Sequence, residues 1–241
     1  MTTQNNDKRH FRPKRLTTQD IRDGCIYLTN GDEKETQVCV VNEELRQGID
    51  FISKTEKSVT FFGSARTKPN DEFYLKAYRL AKRCSELRYT IVSGGGPGIM
   101  EAANKGANDA GGKSIGMTIQ LPTEQETNQY VSDEIPFYYF FTRKVALTYS
   151  GEAYLYFPGG FGTFDELFNM LTLIQTDKIA HVPIILVCSE FWKPLETFFR
   201  ENMLNPSHID IDHNDLNLYT IMDDEDAIIE VIKNASIRKD D

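Results

Sequence analysis

No apolar run in the 241 residues comes near the roughly 20 that a membrane-spanning helix needs. The longest, residues 182–188, is only Val-Pro-Ile-Ile-Leu-Val-Cys. The first residues include Lys8, Arg9, Arg12, Lys14 and Arg15 but no apolar stretch behind them, so they do not read as a secretory signal, and a cytoplasmic location is expected. Cysteine is scarce: Cys25, Cys39, Cys84 and Cys188 show no C-x-x-C spacing, which suggests buried thiols rather than a disulfide framework. An excess of positive charge is missing too. With 27 Lys and Arg against 36 Asp and Glu, a formal net charge of −9, the chain is poorly suited to hold a nucleic-acid backbone. The four histidines have no partners at metal-ligand spacing beyond the acidic stretch Asp210, Asp212, His213 and Asp215, which reads as a solvated loop, so no metal is expected. A G-x-S-x-G elbow is absent, and nothing singles out a Schiff-base lysine.

What is present is a globular balance, 40% apolar and 26% charged, in a length that suits one α/β domain. Residues 1–20 are polar and read as a disordered tail. Residues 21–57 read as an N-terminal extension with a helix whose apolar face is Val38, Val41, Leu45, Ile49 and Ile52. The main domain then spans 58–241. Strand-like runs at 59–62, 89–92, 115–119, 137–141, 153–157 and 182–187 alternate there with helix-period segments. One such segment sets Phe73, Ala77, Leu80, Cys84 and Leu87 on one face, and others lie near 98–110, 143–150, 163–175, 191–203 and 224–234. This alternation predicts a doubly wound, mostly parallel, Rossmann-like α/β sheet flanked by helices. Such sheets take ligands outside the carboxyl ends of their strands.

Three predicted strands end in small residues: Gly63-Ser64-Ala65, then Ser93-Gly94-Gly95-Gly96-Pro97-Gly98, then Pro158-Gly159-Gly160-Phe161-Gly162-Thr163. Turns of this kind bring backbone N–H groups and a helix N-terminus up to an anion, and a phosphate is the natural guest. The dinucleotide fingerprint fails, because the frame from Gly94 reaches Ile99 where its third glycine belongs. Gly111-Gly112-Lys113-Ser114 imitates the end of a Walker A loop but leads into a strand instead of leaving one. Glu101 follows Gly98 closely enough to reach a ribose hydroxyl or merely to sit in a first helical turn. Thr163-x-x-Glu166 has the spacing of a capping box as well as of a site carboxylate. Arg143 and Lys144 read from spacing as a site pair or as a solvated one. The run Tyr138 to Phe141 and Trp192 read as core.

The segments GGGPGIMEAANKGA (94–107), FFTRK (140–144) and PGGFGTFDELF (158–168) together resemble the signature of the Lonely-guy (LOG) family of nucleoside 5′-monophosphate phosphoribohydrolases, long labelled lysine decarboxylases. The resemblance covers about residues 58–203. It implies hydrolysis of the bond between base and ribose 5-phosphate, with Arg143 and Glu166 as the catalytic pair. The glycine turns and the residues beside them give the expected substrate cradle of Gly63, Ser64, Gly94, Gly95, Gly96, Gly98, Glu101, Lys144, Gly159, Gly160, Gly162 and Thr163, no cofactor is expected, and the resemblance further implies a homodimer or larger homo-oligomer. The expected partners are then a small-molecule nucleotide and further copies of the chain, with no nucleic acid and no membrane. One departure stands out: Phe141-Thr142 precede Arg143, where the family commonly has Met-His. The competing reading is a non-catalytic carrier of a nucleotide or pterin phosphate, since every glycine turn would serve binding equally well.

Overall fold

The computed structural model describes residues 17–121, 127–204, 206–207 and 210–236. Seven strands, β1 (Ser58–Phe62), β2 (Thr90–Ser93), β3 (Ser114–Ile119), β4 (Asp133–Phe137), β5 (Ala153–Tyr156), β6 (Ile184–Val187) and β7 (Thr220–Met222), form one parallel sheet. Their order is β4-β3-β2-β1-β5-β6-β7. The chain winds outward from β1 to β4, then returns to place β5 on the other side of β1. The reversal between β1 and β5 opens the crevice in which such folds take ligands.

The helices are α1 (Thr18–Leu28), α2 (Glu33–Ile52), α3 (Glu72–Glu86), α4 (Ile99–Asp109), α5 (Phe140–Thr148), α6 (Phe161–Gln175), α7 (Ser189–Phe198) and α8 (Glu225–Lys233). Each central strand is buried on both faces, which is why β1 reads Ser-Val-Thr-Phe-Phe without polar alternation beyond its hydroxyls. Val59 and Phe61 face the layer of α3, α4 and α8. Phe62, Tyr154 and Tyr156 face α5, α6 and α7. α3 illustrates the local logic: Asp71 caps it by accepting from the Phe73 N–H at 2.8 Å, and Tyr74, Ala77, Leu80, Ala81 and Cys84 bury one stripe. Trp192 is fully buried, as its apolar setting suggests, and its indole N–H donates to the carbonyls of Tyr156 and Val187.

Five points depart from these expectations. The aromatic run at 137–141 is not a strand: β4 ends at Phe137 and α5 begins at Phe140. Strand propensity of aromatics misleads there, because Tyr138, Phe140 and Phe141 are exposed instead of packed in the core. β7 carries no alternating pattern in its three residues and was not anticipated. The apolar face read for α2 is buried only in part: Val41, Leu45 and Ile52 are half-buried, and Ile52 packs against the core. The buried stripe of α2 is Thr36, Val40, Glu44 and Gly48, while Val38 and Ile49 are 52% and 53% exposed. Finally, Cys25 and Cys39 are joined by a disulfide that ties α1 to α2, and only Cys84 and Cys188 are free. α1 starts at Thr18 with a Thr17/Asp20 capping box, inside the range read as tail, and residues 1–16 lie outside the described residues. Among the described residues no helix is long and apolar enough to cross a membrane.

Candidate active site

The three glycine-containing turns converge at the carboxyl ends of β1, β2 and β5. Backbone bonds lock them together: the Ser64 N–H donates to the Pro158 carbonyl at 3.0 Å, and the Ile99 N–H donates to the Ser64 carbonyl at 3.1 Å. Gly98, at φ +71°, starts α4 so close to that carbonyl that any Cβ would collide with it. The result is a cavity of about 670 Å³ lined by Gly63, Ser64, Gly94, Gly160, Gly162 and Thr163, with Arg143 entering from α5 and Glu166 from α6. Gly95 and Gly96 line an adjoining space of about 160 Å³ that shares Gly94, Met100, Phe140 and Arg143 with the first.

Four of the sequence-derived residues line neither space. Gly98 shapes the turn from behind, and Gly159 packs against the Thr163 side chain. Glu101 accepts from the Tyr74 hydroxyl at 3.0 Å, on the side of α4 that meets α3. Lys144 forms an ion pair with Asp165 at 2.5 Å. That pair holds Asp165 at the cavity rim.

Arg143 is the fourth residue of α5, not its first as the spacing suggested. Its Nε–H donates to the Met117 carbonyl at 2.7 Å and Nη2 reaches the Gly94 carbonyl at 3.5 Å, which leaves further donors for a guest. Burial pushes the guanidinium below its ordinary range, and Glu166 opposes that shift. Glu166 stands in the second turn of α6, whose cap is Gly160 with no side-chain cap bond. The capping-box alternative therefore fails, since Thr163 lies inside the helix. Burial pushes the Glu166 carboxyl up to about 7, and Lys144 and Arg143 hold it from rising further. The open N-terminus of α6, with no acidic residue in its first turn, is suited to a phosphate. A phosphate held there has a buried arginine and a proton-exchanging carboxyl beside it.

Three features escaped the sequence. Arg66 and the 96%-exposed Phe161 line the cavity, although the reading of the first turn stopped at Ala65. A buried polar cluster also holds the second turn: Asn128 donates to the carbonyls of Gly95 and Gly96 at 2.9 Å and to Asn104, which itself joins Ser93 and Ser114. Polar residues inside a helix and a loop give no spacing signal for such a cluster. In the acidic stretch, Asp212 and Asp215 cap a short 3-10 turn, and among the described residues no group of three His, Cys, Asp or Glu is placed to hold a metal.

The family described as possible lysine decarboxylase matches residues 100–232, more than half of the chain. The chain belongs to that family. The match includes both Arg143 and Glu166. An uncharacterised protein of Archaeoglobus fulgidus is 30% identical over 120 residues, covering 48% of this chain and 76% of that one. A probable cytokinin riboside 5′-monophosphate phosphoribohydrolase of Oryza sativa subsp. japonica is 27% identical, covering 64% and 76%. Among solved structures, the molybdenum cofactor binding protein of Rippkaea orientalis superposes with a TM-score of 0.55 at 22% identity, over 73% of this chain and 96% of that one. This last likeness is one of fold, and it agrees with the single parallel sheet seen here.

Proposed function

We propose that this family member hydrolyses the N-glycosidic bond of nucleoside 5′-monophosphates, AMP or an N6-modified adenine nucleotide, to free base and ribose 5-phosphate. The observation that carries the reading is the shared cavity wall of Arg143 and Glu166, two residues from different helices, beside an uncapped helix N-terminus. In this reading the phosphate sits at the start of α6, with Arg66 at the rim, and its binding orients the sugar. The bond between C1′ and the base nitrogen breaks with its electron pair going to the base, through a ribosyl cation. Ionised Glu166 stabilises that cation and takes a proton from the water whose oxygen bonds to C1′. Arg143 stabilises the charge on the departing base or on the phosphate, the base takes a proton from solvent as it leaves, and Glu166 returns to solvent the proton it took from the water. The decarboxylase label of the family finds no Schiff-base lysine, since among the described residues no lysine lines the cavity.

The relatives named as cytokinin riboside 5′-monophosphate phosphoribohydrolases support this reading. A carrier role, suggested by solved neighbours that bind molybdenum cofactor, has the shared fold behind it and leaves the desolvated Glu166 without work. The proposal includes a homo-oligomer assembled through the exposed apolar face of α5, where Phe141, Val145 and Tyr149 recur every four residues. It also includes a cytoplasmic setting, where free nucleotides are held, although a persistent Cys25–Cys39 bond would be unusual in that reducing compartment. Incubation with AMP, GMP, CMP, UMP, IMP and isopentenyladenosine monophosphate in EDTA, followed by chromatography, tests the chemistry. Free base from the wild type, lost in Glu166→Gln and Arg143→Ala, is expected. No base from any nucleotide, with a melting temperature still raised by AMP, would favour the carrier. Sedimentation of Tyr149→Glu against the wild type tests the assembly.

A further inference from the structure

The first turn of a helix leaves N–H groups without partners inside the helix. α5, which carries Arg143, starts at Phe140, and its N-cap, Tyr139, makes no side-chain cap bond. An acceptor for the two N–H groups just before the helix comes instead from the N-terminal extension. Glu44 of α2, 1% exposed, accepts from the Tyr138 N–H at 2.7 Å, the Tyr139 N–H at 3.4 Å and the Thr142 hydroxyl at 2.6 Å. One turn further on, Gly48 lies so close to α5 that a Cβ there would stand 3.0 Å from the Ala146 Cβ. An acidic group at a helix N-terminus also complements the dipole. Thr142, the hydroxyl that Glu44 holds, is the residue immediately before Arg143.

We propose that Glu44 is a positioning residue for Arg143. It does not line the cavity and acts through α5 alone. By fixing the two N–H groups before α5 and the Thr142 hydroxyl inside its first turn, it sets how deep the helix sits against β3 and β4. That depth decides whether the Arg143 Nε–H meets the Met117 carbonyl and whether Nη2 reaches Gly94. The same contact explains why the buried stripe of α2 runs through a glutamate and a glycine while Val38 and Ile49 face outward. The extension, which lies outside the resembling region, is in this view part of the site's scaffold. The inference rests on the cavity being a nucleotide site, and its kinetic form rests on the hydrolase reading.

A double-mutant cycle separates positioning from bulk stability. AMP affinity is measured by calorimetry for the wild type, Glu44→Gln, Arg143→Ala and the double variant, with Ile232→Ala as a control that loosens the packing of α8 in the core cluster on the other face of the sheet from α5. Glu44→Gln is expected to weaken AMP about ten-fold in the wild-type background and less than two-fold when Arg143 is already alanine. Ile232→Ala is expected to lower the melting temperature with AMP affinity unchanged. Equal losses in both backgrounds, or no loss in either, overturn the proposal. If Glu44→Gln does not fold, Thr142→Val replaces it in the cycle with the same expectation. A wild type that binds AMP but releases no base defeats the hydrolase reading while the affinity cycle still decides Glu44. A wild type that does not bind AMP defeats both.

Discussion

The Nη2 atom of Arg143 occupies the space that a side-chain carbon at position 94 would fill. Gly94 is not in the left-handed region, so alanine suits its backbone, and the groups that must yield are the ends of Arg143 and Met100. Gly94→Ala therefore displaces the arginine and leaves the fold in place. Base release should fall on the order of 10²-fold, the usual cost of misplacing a catalytic group by about 1 Å. The melting temperature should change little. Activity within two-fold of the wild type would mean that Arg143 has no precise station.

Glu166 makes both rate and stability depend on pH. Its carboxyl is raised from 4.5 to about 7, chiefly by burial. If its ionised form supports the ribosyl cation, kcat for AMP rises as pH passes upward through about 7. Stability runs the other way. The native state keeps the proton to higher pH than the unfolded chain does, so this group's contribution is complete below about pH 4.5 and is lost as pH climbs to about 7. The loss is on the order of 3 kcal/mol at most. Urea melts at pH 5 and pH 8 should show the wild type losing stability relative to Glu166→Gln, and parallel behaviour of the two proteins would refute the assignment.

Much of the fold was legible because its strands are buried on both faces. The runs in β1, β2, β3, β5 and β6 are apolar enough to announce a parallel sheet, and the glycines after β1, β2 and β5 mark the crevice. Arg143 and Glu166, which both line the cavity, were singled out through motif resemblance, since spacing alone left both with bland alternatives. What stayed hidden depends on contacts between distant segments. Nothing near Glu44 in the chain announces that it meets Tyr138 and Thr142 some 95 residues away. Aromatics at 138–141 were misread because propensity cannot tell a buried strand from an exposed helix start. Glu101 and Lys144 sit in plausible motif positions, yet Tyr74 and Asp165 engage their side chains.

Asn104 offers a test of how firmly the second glycine turn must be held. It is fully buried and joins Ser93, Ser114 and Asn128, each at 2.7–2.9 Å. Asn104→Ala strands those partners, and each buried unsatisfied group costs about 1–3 kcal/mol. The melting temperature should drop clearly, and AMP affinity should fall with it because Asn128 also holds the Gly95 and Gly96 carbonyls. An unchanged affinity in the folded variant would show that the turn keeps its shape without the cluster.

The Cys25–Cys39 bond can be tested by counting thiols. Of the four cysteines, Cys84 and Cys188 are free, so the denatured wild type should show two reactive thiols before reduction and four after it. Four without reductant would restore the reading of free thiols drawn from their spacing. Closing a loop of this size, with a sequence separation of 14, constrains the unfolded chain by about 3 kcal/mol in the entropic account. The small cluster of Ile21, Cys25 and Val40 beneath it offers α1 few other apolar anchors. Cys25→Ser should therefore lower the melting temperature and remove its sensitivity to reductant. Glu44 lies on α2 more than a turn beyond Cys39 and meets α5 directly, so base release at low temperature should stay within about two-fold of the wild type. A large loss of activity in Cys25→Ser would instead mean that α1 and its disulfide, and not α2 alone, hold the helix of Arg143 in place.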